Sequence, residues 1–286
     1  MPEFPSLPPV ATEPVSVVLS AHNEETHLEE VLGRWIGFLN GLGRAYEVLL
    51  VDDGSTDRTV ERAEQLAARH PRVRLLRHPI RQGEGAALRT GVAAAEHPLL
   101  AHAPCDLRFR PEELKKLLAE IDKVHLVSGF RVCRPVPGWL RGLGRLYRGL
   151  ARWLFAVSIE PLPGWLGWRE HVRRYVARAL FGVRLRDVGC PFRLFRRSVF
   201  ARLPIQSDGP FAHVEVLAKA NFLGHIMTEV PVTYQPRPDE RAARWSFAEV
   251  RRVFSAPDFG PPVLPEPGQA AQPPETGPGP QGGLEA

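Results

Sequence analysis

The strongest constraint on the fold of this chain is an alternation. Short apolar or β-branched runs recur at Val15–Ser20 (VSVVLS), Glu47–Val51 (EVLLV), Val73–Leu76 (VRLL), Leu99–Ala103 (LLAHA) and in LVSGF from Leu126. Between them lie stretches with helical spacing. Leu28, Val31, Leu32, Trp35, Ile36 and Leu39 follow the first run, and Val60, Ala63, Leu66 and Ala67 follow the second, where Thr56 or Asp57 can cap the helix. The glycine turn RQGEG leads into AALRTGVAAA, and PEELKKLLAEI starts at Pro111. Strands that alternate with helices of this length predict βαβ units, an α/β fold with a mostly parallel central sheet flanked by helices. Such sheets bind ligands beyond the carboxyl ends of their strands. The loops there are Ala21–Glu25, Asp52–Asp57 and Pro104–Arg108, all rich in polar groups.

The ends have a different character. The first 14 residues hold five prolines and read as a disordered leader; residues 255–286 are rich in proline and glycine and read as a disordered tail. The globular domain is expected over residues 15–254. Three cysteines without paired spacing argue for a reducing compartment and against a disulfide frame or zinc site. The amino terminus lacks the cationic start and apolar core of a secretory signal, and no run reaches the roughly 20 apolar residues of a membrane span.

Charge is distributed unevenly. The chain carries a net +5, but residues 131–197 hold 15 arginines against Glu160, Glu170 and Asp187, a local +12, leaving −7 elsewhere. Four of the six tryptophans fall in the same stretch. A confined basic patch on an acidic body argues against nucleic acid as the partner. Within Trp139–Val157, helical winding gathers Arg141, Arg145, Arg148 and Arg152 within about 60° of one another. Leu143, Leu146, Tyr147, Leu150, Trp153, Leu154 and Val157 collect opposite them. Such a helix can lie in the interface of an anionic membrane, or it can pack its apolar face on the sheet and leave the arginines in water.

Three loops at strand ends, SAHNEE, VDDGSTD and APCDL, occur in order with RQGEGAALRTG, DVGCPFRLFRRSVF and HVEVLAKANFLGHIMTEVPVTYQPR. Together they resemble the family-2 glycosyltransferases, and within them the polyprenyl-phosphate sugar synthases, over about Val15–Phe254. The resemblance implies a GT-A, Rossmann-like nucleotide-sugar fold. It also implies an inverting enzyme that moves a hexose from a nucleoside-diphosphate sugar to a lipid phosphate acceptor. Such an enzyme would be cytoplasmic and peripheral on the inner face of the cell membrane.

Residue by residue, the resemblance assigns nucleotide-sugar binding to His22, Asn23, Glu24, Asp52, Asp53, Gly83, Gly85 and Arg108. His22 stands where tyrosine is usual, and Glu84 where a lysine often lies between the two glycines. Asp106, Arg131 and Arg193 fall at catalytic positions, the arginines near the diphosphate or acceptor phosphate. Asp187, Glu215 and Arg244 fall at positions that place the acceptor or a loop, Asp187 orienting Arg193 or the loop. The family's Asp-x-Asp pair holds a divalent cation, Mg2+ or Mn2+, against the diphosphate. Here the motif is Pro104-Cys105-Asp106, so Asp106 is the one carboxylate left to ligate metal. Three readings stay open at this point: weak metal binding through Asp106, replacement of the cation's charge by Arg108, or a catalytically degenerate protein serving as a peripheral membrane or interaction module.

Overall fold

The computed structural model describes residues 13–133, 175, 177–179, 181–236 and 245–260. Arg244 and the basic tryptophan segment Trp139–Val157 lie outside the described residues. Seven strands form one sheet: β1 (Val15–Ala21), β2 (Tyr46–Asp53), β3 (Val73–His78), β4 (Leu99–Pro104), β5 (Leu126–Cys133), β6 (Arg193–Arg196) and β7 (Met227–Tyr234). Their order is β3-β2-β1-β4-β6-β5-β7. β1 to β4 are mutually parallel, β5 and β7 are parallel, and only β6 runs against its neighbours.

The expected parallel α/β sheet is therefore present, with one short antiparallel strand that the sequence pattern did not announce. β1 and β2 are buried along almost their whole length. That explains why their sequences are continuous apolar runs rather than alternating ones. Helices α1 (Leu28–Asn40), α2 (Thr59–Arg69) and α3 (Glu84–Ala94) make the crossovers, followed by α4 (Leu114–Leu118), α5 (Ala212–Phe222) and α6 (Phe247–Ser255). The helix expected from Pro111 is interrupted: 3-10 turns at Pro111–Glu113 and Ile121–Lys123 flank the single short stretch α4.

Two apolar clusters fill the two sides of the sheet. Val31, Leu32 and Trp35 of α1 pack with Val17, Leu19 and Leu50 on one side. Ala87 and Leu88 of α3 join Val18, Leu49 and much of α5 on the other. α3 comes so near β1 that a Cβ on Gly91 would overlap the side chain of Val18. Small residues in AALRTGVAAA thus set the helix-to-sheet distance. From β1 the chain builds outward through β2 and β3, then returns to place β4 on the other side of β1. This reversal between β1 and β4 is the kind of switch point at which open α/β sheets leave a crevice. The strand ends there are level, with Ala21 opposite Asp52 and Ser20 opposite Pro104.

Candidate functional site

The loops after β1 and β2 are stitched together. Asn23 adopts the left-handed conformation (φ 56°), which a short amide tolerates. Its Oδ1 accepts from Thr56 N at 2.9 Å, and its own N–H donates to Ser55 Oγ at 2.9 Å. Glu24 N–H donates to Thr59 Oγ1 at 2.9 Å, and His22 Nδ1 lies 2.9 Å from the Asp53 carbonyl. The cap position of α2 is Arg58, which has no capping side-chain bond; of the two expected cappers, Asp57 stands one residue earlier, its Oδ1 taking the N–H of Thr59 at 2.9 Å. His22, Asn23 and Glu24 thus give the loop its shape, leaving the half-buried His22 ring as its aromatic face.

The adjacent aspartates differ. Asp53 is satisfied on both oxygens: Oδ1 meets His78 Nδ1 at 2.9 Å and Gln82 N at 2.8 Å, and Oδ2 meets Gly83 N at 2.8 Å. Burial favours its neutral form, but these donors outweigh burial and hold the carboxyl below its ordinary value. Asp52 is only 2 % exposed, and its Oδ2 accepts from Ser55 N at 3.2 Å. Its Oδ1 is buried with no hydrogen-bond partner among the described residues. A buried acceptor without a donor costs free energy, so Asp52 is the member of the pair with unmet capacity at the crevice.

Gly83 and Gly85 do permit a close backbone approach, but the approaching chain is the protein's own. A Cβ on Gly83 would overlap the Asp208 carbonyl, and one on Gly85 the Ser207 carbonyl. Asp208 O accepts from Gly85 N at 2.7 Å and Ala86 N at 3.2 Å, taking donors at the start of α3, the turn that the resemblance assigns to nucleotide-sugar binding. Glu215, fully buried, holds the same loop: its Oε1 accepts from Gln206 N and its Oε2 from Ser207 N, each at 2.8 Å. Glu249 Oε1 completes it by accepting from Gly209 N at 2.8 Å. The 205–209 loop and Glu249 escaped the sequence reading because their partners are distant in the chain.

Arg193 corrects an expectation. It is 1 % exposed and donates to Ser128 Oγ (3.2 Å), the His213 carbonyl (2.6 Å) and the Val188 carbonyl (2.7 Å). Burial pushes it down to about 10. A guanidinium so enclosed braces β5, β6 and α5 rather than reaching a phosphate. Asp187, expected to orient Arg193 or the loop, receives Arg131: Nε at 2.7 Å, Nη2 at 2.9 Å and the backbone N at 3.1 Å. The Arg131 guanidinium also lies 5.4 Å from the centre of the Tyr234 ring.

At the end of β4, Asp106 is 3 % exposed. Its Oδ1 accepts from Arg108 N at 2.9 Å, and its Oδ2 pairs with Arg108 Nε. Gln235 N donates to the Arg108 carbonyl at 3.0 Å, fixing this loop to the end of β7. Glu84, between the two glycines, meets two histidines to which the sequence assigned no role. His213 Nε2 is 2.9 Å from Glu84 Oε1, and the His102 and His213 rings are 5.5 Å apart. Burial favours the neutral Glu84, but the charges of His213, His102 and Arg108 outweigh it and hold the carboxyl at about 2. Glu84 thus finds its partners within the protein.

Among the described residues no group of three His, Cys, Asp or Glu side chains could hold a metal ion. Pro104 offers no side-chain ligand, and both oxygens of Asp106 accept from a cationic residue. The residues present at the end of β4 therefore do not fit a divalent cation. Among the described residues, no helix is long and apolar enough to cross a membrane.

The model of glycosyl transferase family 2 matches residues 16–203. An undecaprenyl-phosphate 4-deoxy-4-formamido-L-arabinose transferase of Edwardsiella ictaluri is 29 % identical over 227 residues, 78 % of this chain and 60 % of its own. A dolichol-phosphate mannosyltransferase of Pyrococcus furiosus is 36 % identical over 107 residues, 37 % of this chain and 30 % of its own. The chain thus spans well under two thirds of the length of these curated relatives. In fold it is similar to the glucosyl-3-phosphoglycerate synthase of Mycobacterium tuberculosis, solved with Mn2+, UDP and phosphoglyceric acid. That match has TM-score 0.53 and 22 % identity, and covers 80 % of this chain and 73 % of that one. With the family model matched over more than half of the chain and the GT-A arrangement of strands in place, the chain belongs to glycosyl transferase family 2.

Proposed function

We propose that this chain catalyses inverting transfer of a hexose from a nucleoside-diphosphate sugar to a polyprenyl-phosphate-like acceptor at a membrane surface. The observation that carries the donor half is the buried Oδ1 of Asp52, without a hydrogen-bond partner among the described residues, at the end of β2 beside Ala21 of β1. A base N–H or ribose hydroxyl supplies the donor this oxygen lacks, and a site built around such an acceptor discriminates strongly. The acceptor half draws on the names of the relatives, which act on undecaprenyl and dolichol phosphates. A phosphate acceptor is already anionic at neutral pH. It can attack the anomeric carbon opposite the leaving diphosphate without giving up a proton, which inverts that carbon and requires no protein base. The chain's own task is then to hold donor and acceptor in line and to stabilise the departing diphosphate. Arg131, locked by Asp187 against Tyr234, is a fixed cation on the acceptor side.

Calorimetry with uridine and guanosine diphosphate sugars tests the donor site. Binding of one series is expected, weakened roughly 10- to 100-fold by Asp52→Ala; absence of binding to either would end the donor reading. Pro104 and Glu84 favour a second reading, a catalytically inactive module on the same fold, and that result would select it. Membrane association rests on the pattern of Trp139–Val157. Flotation with anionic liposomes should be lost when Arg141, Arg145, Arg148 and Arg152 are changed to Glu, and undiminished flotation would refute the membrane role.

A further inference from the structure

We infer that Arg108 takes the place of a divalent cation, so that the donor diphosphate is bound by a guanidinium and without metal. This deepens the proposed donor site and rests on it. Asp106 is already engaged. Its two oxygens receive the backbone N–H and the Nε of Arg108, and only 3 % of the residue is exposed. A cation binding there would have to sit against a positive charge or displace it. The second carboxylate that would offset such crowding is absent, because the strand ends on Pro104.

The local charge balance leads to the same place. Two carboxylates around a divalent ion are neutral overall, and so is the single pair Asp106–Arg108. A diphosphate arriving at the end of β4 thus meets a similar net field with fewer parts. Arg108 is built for the exchange: its carbonyl is anchored by Gln235, its Nε is aligned by Asp106, and a quarter of its side chain is exposed. A planar guanidinium fork matches phosphate oxygens in pairs, as a point charge does not. Asp106 then acts as a positioning residue, having become the partner of the group that replaces the metal. Glu84, the other charge near Arg108, is paired with His213 and so opposes an incoming phosphate less than a bare carboxylate would.

The test is titration of the full chain with UDP- and GDP-sugars in excess chelator and again with millimolar Mn2+. Equal affinities in the two buffers are expected, with Arg108→Ala weakening binding roughly 10- to 100-fold. Binding that appears only with Mn2+ would overturn the inference and leave the donor reading intact. Failure to bind in either buffer would remove the donor reading, and this inference with it. Unchanged affinity in a folded Arg108→Ala protein would also overturn the inference. Should that variant not fold, the wild-type comparison still decides. The double variant Pro104→Asp, Arg108→Ala supplies a positive control, since it recreates paired carboxylates and should bind nucleotide sugar only with Mn2+.

Discussion

Gly83 and Asp208 touch so closely that there is no space for a side chain between them: a Cβ at position 83 would overlap the carbonyl oxygen of Asp208. Gly83 also has φ 116°, outside the range open to other residues. Gly83→Ala should therefore cost about 2–5 kcal/mol in denaturant unfolding, combining overpacking with backbone strain. Gly43 also has positive φ (70°) but nothing within 4 Å of a Cβ, so Gly43→Ala should cost only about 1–2 kcal/mol. Equal losses at the two sites would show that contact with Asp208 contributes nothing.

Glu215 and Lys219 form a buried pair at 2.7 Å, with both side chains almost inaccessible. Glu215→Ala strands the ammonium and removes the acceptor for two loop amides. It should destabilise by about 3–5 kcal/mol. Glu215→Ala with Lys219→Met should recover part of that loss in urea titrations, because the uncompensated charge is gone.

A double-mutant cycle on Arg131 and Asp187 should give a coupling of about 1–3 kcal/mol. The pair is bidentate and both side chains are largely buried, unlike exposed pairs such as Arg34–Glu30. The cycle Arg34→Ala, Glu30→Ala serves as the reference and should give about 0.5 kcal/mol or less.

His102 gives the protein a defined acid sensitivity. Burial, then the charge of His213, hold it down to about 4, against the pull of Glu84. A histidine whose folded value is depressed takes up its proton first in the unfolded chain. The associated stability is complete above about pH 6.5 and is lost as pH falls toward 4. Burial lowers His125 and His225 as well, so they add with the same sign. Glu84 contributes in a lower window, its stabilisation being lost between about pH 4.5 and 2. Melting temperature should therefore fall between pH 7 and 4.5. His102→Asn keeps a donor for the Pro191 carbonyl, which His102 Nδ1 meets at 2.9 Å, and should flatten that slope.

The elements that follow local rules were legible. β1 and β2 are continuous apolar runs, α1 shows a 3.6-residue stripe, and each became the element its pattern indicated. β6 was not legible, because RLFR is four residues long and owes its direction to lying between β4 and β5. The site divides in the same way. Asp52 and Asp53 are equivalent in VDDGS, and what separates them is His78, Gln82 and Gly83, 25 to 30 residues away. Arg131 and Arg193 likewise look alike as arginines beside apolar residues. Only tertiary packing gives one an aspartate and encloses the other among carbonyls.

The loop at 205–209 also sets an order of opening. Its amides at Asp208 and Gly209 are held by a single carboxylate, Glu249, on the last helix described, and the Gln206 carbonyl is held by Arg252 of the same helix. α6 has few buried side chains of its own, Val253 among them. Hydrogen exchange at Asp208 and Gly209 should thus track the fraying of α6, while the amides of β1 and β2 await global unfolding. The wall that closes over Gly83 and Gly85 is then a hatch whose latch lies 40 residues further along the chain.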